Sequence, residues 1–278
     1  MDGRYESDGA KLAYSDTGSG MPVFFLHPTP LNRGFWRPLI VELGGVRAIA
    51  PDLRGHGQSE LGESLKAGGF ALVPNAPVLT MAQIAADVFA LADHLRIAEA
   101  VYVGCSIGGY VLLEMWRQQP ERMRGLGFVC SKPQPDSDAG REKRAANIAS
   151  VREKGVEPIF DGMAQSLVGT TARGRRPELV TEVRKQMTLS ADAVVATQAG
   201  LGTRPDSLPT VATIDAPLLA IAGGEDVAVS AAEMEALRAA PGGCCEYHLV
   251  PDGGHFAAYE QPEKVARLLA EWLKQFGL

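Results

Sequence analysis

The sequence predicts an α/β protein in which helices flank a mostly parallel β-sheet and a helical cap is inserted into the chain. Three observations support this fold class. Short apolar runs of strand length alternate along the chain with longer segments of helical periodicity. Residues 136–209 contain charged helical segments and lack a strand-like run. A glycine-flanked serine joins one of the strand-like runs directly to a helical segment.

The size of the chain allows one large domain or two small ones. It has 278 residues, of which 46% are hydrophobic, enough for a sizeable core. The helical block lies between strand-like runs, and this position favours one domain with an insertion. We therefore expect a core domain formed by residues 1–135 and 210–278 and a helical cap formed by residues 136–209.

Charge and hydropathy exclude several classes of partner. The 33 acidic and 27 basic side chains give a net charge of -6, with no basic stripe, which argues against nucleic acid and anionic membranes. The first residues lack the basic-then-apolar order of a signal peptide. No apolar run approaches the roughly 20 residues needed to cross a bilayer. A cytoplasmic protein is expected.

The four cysteines, at positions 105, 130, 244 and 245, do not have the spacing of a disulfide framework or a zinc site. They are expected to be reduced and mostly buried thiols. Cys105 precedes the glycine-flanked serine, but a packing thiol is the favoured interpretation. We expect neither a metal nor a cofactor.

The first predicted strand of the parallel sheet is the apolar run 23–26, which ends in a proline-rich turn at 27–30. A second strand at 47–50 leads into the segment 51–59. Glycines in that segment mark a tight turn, in which His56 is expected to be a structural residue.

A long connection follows at 61–78, rich in Gly, Ala and Pro and without a clear period. A segment of this length is a lid or pocket edge about as often as it is disordered. The apolar spacing of 81–95 then predicts an amphipathic helix with Thr80 as its N-cap. His94, near the end of that helix, is expected at the surface or boundary.

The next strand and helix, predicted at 100–103 and 110–119, enclose a Gly-x-Ser-x-Gly motif centred on Ser106. A turn this short forces the serine into a strained backbone conformation, which requires that flanking side chains be nearly absent. Gly104 and Gly108 meet this requirement. The context predicts a nucleophile elbow rather than an ordinary loop.

The remaining elements continue the alternation. In order, the sequence predicts a strand at 125–130, cap helices including 141–154 and 177–187, a strand at 217–222, a helix near 231–239, a strand at 246–250 and a helix at 262–276.

Three polar residues each lie just past the end of a predicted parallel strand, and such ends share one edge of the sheet. A serine hydroxyl needs an adjacent base, and that base needs an orienting group. Ser106 is therefore the predicted nucleophile, His255 the general base and later acid, and Asp226 the orienting carboxylate. Glu225 and Asp252 are rivals for the last role because they lie close by in the sequence.

Attack on a carbonyl places negative charge on oxygen, which backbone N–H groups can stabilise. Ile107 directly follows the nucleophile at a helix start and should supply one N–H. The second should come from the turn after the first strand. Pro28 and Pro30 have no N–H, which leaves Thr29.

Four motifs in this order resemble the α/β-hydrolase superfamily. They are Asp52-Leu-Arg-Gly-His-Gly-Gln-Ser59, Gly104-Cys-Ser-Ile-Gly-Gly109, Gly223-Gly-Glu-Asp226, and Gly254-His-Phe256 followed by Glu260-Gln-Pro262. The likeness extends over nearly the whole chain and implies a mostly parallel eight-stranded sheet with a helical cap. The chain is most similar to the branch of esterases, enol-lactonases and cofactor-free haloperoxidases.

In that branch the turn after the first strand typically has the sequence His-Gly-x-Pro-Leu. Here Pro28 follows His27 in place of the glycine, while Thr29 still falls at the family's donor position. Ser106 argues against the branches that open haloalkanes or epoxides, because those branches use an aspartate nucleophile.

Candidates for the substrate pocket are His27, Trp36, Met163 and Leu201, although apolar side chains in a cap more often belong to the core. A group of cap arginines could bind a substrate carboxylate, such as that of an enol-lactone, but a solvated helix face explains most of them better. These arginines are Arg141, Arg144, Arg173, Arg175 and Arg176.

The expected protein is an enzyme, a serine esterase or lactonase that cleaves small carboxylic esters or lactones through an acyl-enzyme. It is expected to act as a monomer or homodimer. The same triad could instead support acyl transfer, peracid formation as in haloperoxidases, or hydrolysis of a C–C bond beside a ketone. In a different class, the chain could be a receptor-like or scaffolding protein that binds a ligand with little turnover.

Overall fold

The computed structural model describes residues 1–240 and 245–278. Within these residues, eight strands form one sheet. The strands are β1 (Asp2–Ser7), β2 (Ala10–Gly18), β3 (Met21–Leu26), β4 (Val46–Pro51), β5 (Ala100–Cys105), β6 (Met123–Val129), β7 (Leu218–Gly223) and β8 (Cys245–Val250).

The helices lie between and after these strands. They are α1 (Arg37–Leu43), α2 (Met81–His94), α3 (Ile107–Gln118), α4 (Asp138–Lys154), α5 (Glu157–Leu167), α6 (Thr170–Arg175), α7 (Glu178–Gln186), α8 (Ala191–Gly202), α9 (Leu208–Val211), α10 (Ala231–Met234), α11 (Ala257–Glu260) and α12 (Pro262–Gln275). Short 3₁₀ turns cover Arg33–Trp36, Pro120–Arg122 and Glu235–Ala239.

The sheet has the strand order β1-β2-β4-β3-β5-β6-β7-β8. The six strands from β4 to β8 in this order are parallel, whereas β2 runs antiparallel to both β1 and β4. From β3 the chain first moves outward to β4 and then crosses back to β5 on the other side. Ligands of open α/β sheets bind at such a reversal, outside the carboxyl ends of the strands. The predicted fold class is confirmed.

The predicted strands of the parallel sheet all appear as β3 to β8, but the hairpin β1–β2 was not predicted from the local pattern. Its outer strand is only partly buried, so its sequence has little apolar periodicity. The turn is formed by Asp8 and Gly9, with φ of 43° and 70°. An Asp-Gly pair is a strong hairpin signal and could have revealed this turn.

The helices α4 to α8, called here the inserted helices, lie in the chain between β6 and β7. Phe160 and Val183 of these helices share one apolar cluster with Val23 and Val103 of the sheet. This burial anchors the inserted helices, because removing apolar surface from water is the main favourable term in folding. The boundaries of a separate cap domain at 136 and 209 stay a prediction.

The connection at 61–78 has neither helix nor strand, yet it is packed against the rest of the molecule. Phe70 is buried, and the N–H of the following Leu79 donates to the carbonyl of Ala196 at 3.0 Å. The N-cap prediction for α2 is confirmed, since the Thr80 side chain accepts from the N–H of Gln83. In the described part of the chain, no helix has the length and apolar character required to span a membrane.

Candidate active site

Ser106 occupies the sharp turn between β5 and α3, with φ of 53° and ψ of -115°. A side chain on Gly104 would place its Cβ 2.3 Å from the carbonyl carbon of Gly108. One on Gly108 would place its Cβ 2.3 Å from the carbonyl oxygen of Leu26. Both glycines are therefore required by the close approach of neighbouring backbone, and the strained serine predicted from the sequence is present.

Asp226 and His255 lie on the loops that follow β7 and β8, and they contact each other. The Nδ1 atom of His255 is 2.8 Å from Oδ2 of Asp226, and both side chains are buried. Because an ionised carboxylate can only accept, Nδ1 carries the proton and donates it, which leaves Nε2 as the acceptor. This is the tautomer that a general base needs for taking a proton from a hydroxyl.

The orientation of Asp226 is fixed by its own hydrogen bonds. Its Oδ1 accepts from the N–H groups of Ala228 at 2.7 Å and Val229 at 3.0 Å. Burial would raise the pKa of Asp226, but the charge of His255 and these hydrogen bonds lower the pKa overall. The carboxyl group is thus held in its ionised form beside the imidazole.

The two rival carboxylates have other partners. Glu225 accepts from the N–H of Thr171 at 2.8 Å, which ties its loop to α6. Asp252 pairs with Arg175 at 3.3 Å near the surface. Of the three acidic residues, Asp226 is the one in contact with His255.

Ser106 and His255 line the same cavity, which has a volume of about 490 Å³ and also includes Thr29. Among the described residues, no hydrogen bond joins the Ser106 hydroxyl to His255. Hydrogen bonds between catalytic groups are often long before substrate binds. The structure thus brings the predicted nucleophile and base to one cavity wall.

Thr29 and Ile107, the predicted oxyanion donors, lie at the adjacent ends of β3 and β5. In the part of the chain that the structure describes, neither backbone N–H donates to another protein group. The Thr29 hydroxyl donates to Nε2 of His56 at 2.9 Å, while Nδ1 of His56 donates to the carbonyl of Arg54. His56 is thus a structural residue, as predicted, and its contact fixes the Thr29 turn.

Sequence reasoning missed the role of Glu260, a buried carboxylate at the end of α11. It accepts from the N–H groups of Gly254 at 2.8 Å and Phe256 at 3.2 Å, the two neighbours of His255. It also accepts from the N–H of Gly169 at 3.2 Å. Burial raises the pKa of Glu260, and these hydrogen bonds oppose the shift only in part. The histidine loop is therefore held by one carboxylate.

The pocket candidates divide into two groups. Met163 and Leu201 line the cavity, as the sequence suggested. Trp36 does not, because it is buried beside Phe35 with ring centroids 4.9 Å apart. His27 is likewise buried away from the cavity, with Nδ1 donating to its neighbour's carbonyl and Nε2 accepting from a backbone N–H. These two candidates are corrected to structural residues.

The 61–78 connection, for which the sequence left a lid, a pocket edge or disorder open, does not line this cavity. The cavity beside Ser106 is lined by described residues from the β3 turn, α3, the inserted helices and the loops after β6, β7 and β8. Residues of the connection instead border shallower depressions elsewhere on the surface.

Of the five cap arginines named from the sequence, all within the described residues, Arg144 lines the cavity and the other four do not. Two lysines and a further arginine join it on the wall, namely Lys132, Lys143 and Arg204. Arg204 was not singled out by sequence reasoning, since its position after α8 carries no local signal.

Cys105 and Cys130 are fully buried behind the site, and the Sγ atom of Cys105 is 3.7 Å from the carbonyl of His255. Burial, the main cause, raises the pKa of both thiols well above their usual range. They are packing residues, because the thiolate is the nucleophilic form. Cys245 is half-buried and Cys244 lies outside the described residues. No described cluster of three His, Cys, Asp or Glu side chains could hold a metal.

Two curated relatives match almost the whole chain. One is a protein of Mycobacterium tuberculosis provisionally assigned as a non-heme bromoperoxidase, 27% identical over 269 residues and covering 91% of this chain and 94% of that protein. The other is 3-oxoadipate enol-lactonase 1 of Acinetobacter baylyi, 24% identical over 262 residues and covering 91% and 88%.

A thermophilic esterase from Thermogutta terrifontis, solved with malate bound, superimposes with a TM-score of 0.88. It is 30% identical in sequence, and the match covers 100% of both chains. The sequence profile of the alpha/beta hydrolase family matches residues 23–268. The motifs, the sheet order and these similarities agree, and the chain belongs to the alpha/beta hydrolase family.

Proposed function

We propose that the protein is a serine hydrolase that cleaves carboxylic esters or lactones through an acyl-enzyme intermediate. The observation that carries this proposal is the buried contact between His255 and Asp226 at 2.8 Å, on the cavity that also contains the strained Ser106. The esterase and enol-lactonase among the relatives support the class of bond.

In the first half-reaction, the Oγ of Ser106 attacks the carbonyl carbon of the substrate while Nε2 of His255 takes the hydroxyl proton. The negative charge that forms on the carbonyl oxygen is stabilised by the free N–H groups of Thr29 and Ile107. When the tetrahedral intermediate collapses, His255 returns the proton to the leaving alkoxide, and the acyl group stays on Ser106.

In the second half-reaction, water attacks the acyl carbon and His255 takes one of its protons. Collapse of the second tetrahedral intermediate breaks the bond to Ser106, releases the carboxylic acid and restores the serine hydroxyl. In a lactone the alcohol remains joined to the acyl group, so one hydroxy acid is released.

The similarity to a protein assigned as a bromoperoxidase favours a second candidate activity. Hydrogen peroxide in place of water would attack the acyl-enzyme and release a peracid, with the same proton transfer to His255. Addition of peroxide to an ester assay would reveal this activity as a product that oxidises bromide.

The test of the hydrolase proposal is replacement of Ser106 by alanine, followed by assay with p-nitrophenyl acetate. Loss of the nucleophile should reduce kcat by at least about 10⁴-fold. Ser166→Ala is the matched control, because Ser166 also lines the cavity but only donates to a carbonyl of its own helix. It should retain activity within about twofold, as expected for an exposed substitution.

Covalent labelling provides an independent measurement. A fluorophosphonate should add to Ser106 of the wild type, and digestion should locate the added mass on the peptide containing that residue. Unchanged ester turnover in Ser106→Ala, or labelling at a different residue, would contradict the proposal. Labelling of Ser106 with negligible steady-state turnover would favour the receptor-like alternative.

A further inference from the structure

The wall of the cavity beside Ser106 has an unusual balance of charge. Four basic side chains line it, Lys132, Lys143, Arg144 and Arg204. Within the described part of the chain, the only carboxylate on the same wall is that of Asp136. The chain as a whole has a net charge of -6, so this basic wall is opposite in sign to the molecule.

The partners of these side chains leave part of the positive charge uncompensated. Lys132 forms an ion pair with Glu233, which is not part of the cavity lining. Asp136 is shared by two guanidinium groups, with Arg144 at 3.0 Å and Arg204 at 2.8 Å. Three cations thus face one carboxylate, which leaves an excess of two positive charges.

Asp136 cannot be regarded as a neutral acid. Burial alone would raise its pKa, but the charges and hydrogen bonds of Arg144 and Arg204 lower the pKa overall. The carboxylate therefore remains ionised, orients the two guanidinium groups and cannot cancel both.

Arg204 is the most buried of the four cations, with a side chain only 4% exposed. Its guanidinium lies over the ring of Tyr110, 4.3 Å from the centroid, and both residues line the cavity. Its Nη1 and Nη2 atoms donate to the carbonyls of Leu201 and Gln134, and its Nε atom is buried out of reach of the cavity. Arg204 therefore contributes its positive charge to the cavity rather than a free hydrogen-bond donor.

Lys143 is the exposed member of this set of cations. It lies on α4, one residue before Arg144, is exposed, and has no ion pair in the part of the chain that the structure describes. The lining also includes the apolar side chains Ile159, Met163 and Leu201. The cavity therefore combines an apolar surface with a cationic wall.

We propose that the substrate of this site is an ester or lactone that carries a free carboxylate, which binds at the wall formed by Lys143, Arg144 and Arg204. This inference rests on the proposed hydrolase function and narrows its substrate class. The carboxylate accepts hydrogen bonds from Lys143 and Arg144 and is attracted by the positive charge of Arg204, and the hydrocarbon part of the substrate lies against the apolar side chains. Binding energy at the remote carboxylate holds the ester carbonyl at Ser106.

The alternative is that Arg144 and Arg204 only join α4 to the segment after α8 through Asp136. A purely structural role would not discriminate between substrates that differ only in charge. The test therefore uses a matched pair, the p-nitrophenyl half-ester of adipic acid and p-nitrophenyl methyl adipate, in which the terminal carboxylate is replaced by its methyl ester.

The wild type should have a kcat/KM for the half-ester at least about tenfold above that for the methyl ester, because charge-assisted hydrogen bonds discriminate strongly. Lys143→Gln should reduce kcat/KM for the half-ester several-fold more than that for the methyl ester. Lys154→Gln is the control, because Lys154 lies at the end of the same helix but outside the cavity wall. Added salt should reduce the preference for the half-ester, because Lys143 is exposed and salt screens its charge.

Binding can be measured without turnover, which separates this proposal from the hydrolase proposal. Adipate dianion should bind Ser106→Ala in calorimetric titration, and Lys143→Gln in that background should weaken its binding about tenfold. A wild type that hydrolyses the methyl ester as fast as the half-ester would overturn the carboxylate proposal. So would a Lys143→Gln variant that affects both esters equally. Failure of the hydrolase proposal would instead appear as turnover of both esters that survives Ser106→Ala.

Discussion

At the scale of single residues, the proposed chemistry depends on the orientation of two side chains. Ser106 is held in the left-handed region by a turn that only its glycine neighbours permit. His255 is held in one tautomer by Asp226, whose second oxygen is already occupied by two backbone N–H groups. In the proposed mechanism, the groups that orient each of the two residues are in place before substrate binds, and such preorganisation lowers a reaction barrier.

Replacement of Asp226 by asparagine tests this orientation. The amide would donate to Nδ1 of His255 and force the proton onto Nε2, so the imidazole could no longer accept a proton from Ser106. We expect kcat for p-nitrophenyl acetate to fall by about four orders of magnitude, with little change in secondary structure. Asp252→Asn is the control and should remain within a few-fold of the wild type. A larger loss in Asp252→Asn than in Asp226→Asn would show that Asp252, and not Asp226, orients His255.

The residues that sequence reasoning brought together share one property. Ser106, Asp226 and His255 each follow a parallel strand, so the fold class alone directs them to one edge of the sheet. The directions of the Trp36 and His27 side chains depend on tertiary packing, which no local pattern encodes. The function of Glu260 depends on N–H groups from two distant segments, and such a role has no sequence signal.

At the scale of elements, the segment between α5 and α6 connects the inserted helices to the catalytic loops. The carbonyl of Leu167 accepts from the N–H of His255 at 2.9 Å. Thr171 donates its N–H to Glu225, the neighbour of Asp226. The inserted helices that line the cavity and the loops that carry Asp226 and His255 are therefore joined by the same short segment.

Glu260 is the common partner in this connection, and Glu260→Gln tests its role as a positioning residue. The amide group would present N–H atoms to a site built from N–H donors, leaving at least one donor unpaired. We expect a loss of about 1–3 kcal/mol in the free energy of unfolding, measured in urea. Glu263→Gln, at an exposed position in the first turn of α12, is the control. It should cost less than about 0.5 kcal/mol.

A positioning role should also have a kinetic consequence. Glu260 accepts from the N–H groups on both sides of His255, so its loss should displace the imidazole. We expect kcat for p-nitrophenyl acetate to fall by about tenfold or more in the folded Glu260→Gln variant, because small displacements of a catalytic group are costly. A kcat equal to that of the wild type would limit Glu260 to a role in stability.

Whether a segment forms a helix or a strand was easier to predict from the sequence than which elements are neighbours in space. The amphipathic helices and buried strands have clear periods, and α2 and α12 begin at the predicted residues, 81 and 262. The inserted helices α5 and α8 were not identified individually, since α8 is buried on nearly all sides and has no polar face. The strand order is a property of long-range pairing and entered only through resemblance to a family.

At the scale of the whole molecule, two buried histidines couple stability to pH. His27 and His56 are fully buried, with ring centroids 5.2 Å apart, at the junction of the β3 turn and the loop after β4. Burial, the largest cause, lowers the pKa of His27 to about 4 and that of His56 to about 3. Both are therefore neutral in the folded protein well below the pH at which they would titrate in the unfolded chain.

The sign of the effect follows from proton binding. Between about pH 6.5 and the lowered folded-state values, the unfolded chain binds a proton at each histidine and the folded protein does not. The stabilising contribution is complete above about pH 6.5 and is lost as the pH falls. From pH 7 to pH 5, each histidine should remove roughly 2 kcal/mol from the free energy of unfolding.

Urea unfolding of the wild type and His56→Gln at several values between pH 5 and pH 7 measures this contribution. The variant should be less stable at pH 7, because the contact with Thr29 is lost. Its stability should nevertheless fall less steeply with acid, by roughly 2 kcal/mol over this range, since one buried site can no longer take up a proton on unfolding. Equal slopes in wild type and His56→Gln would show that His56 takes up its proton at the same pH in the folded and unfolded protein, which would contradict the lowered pKa.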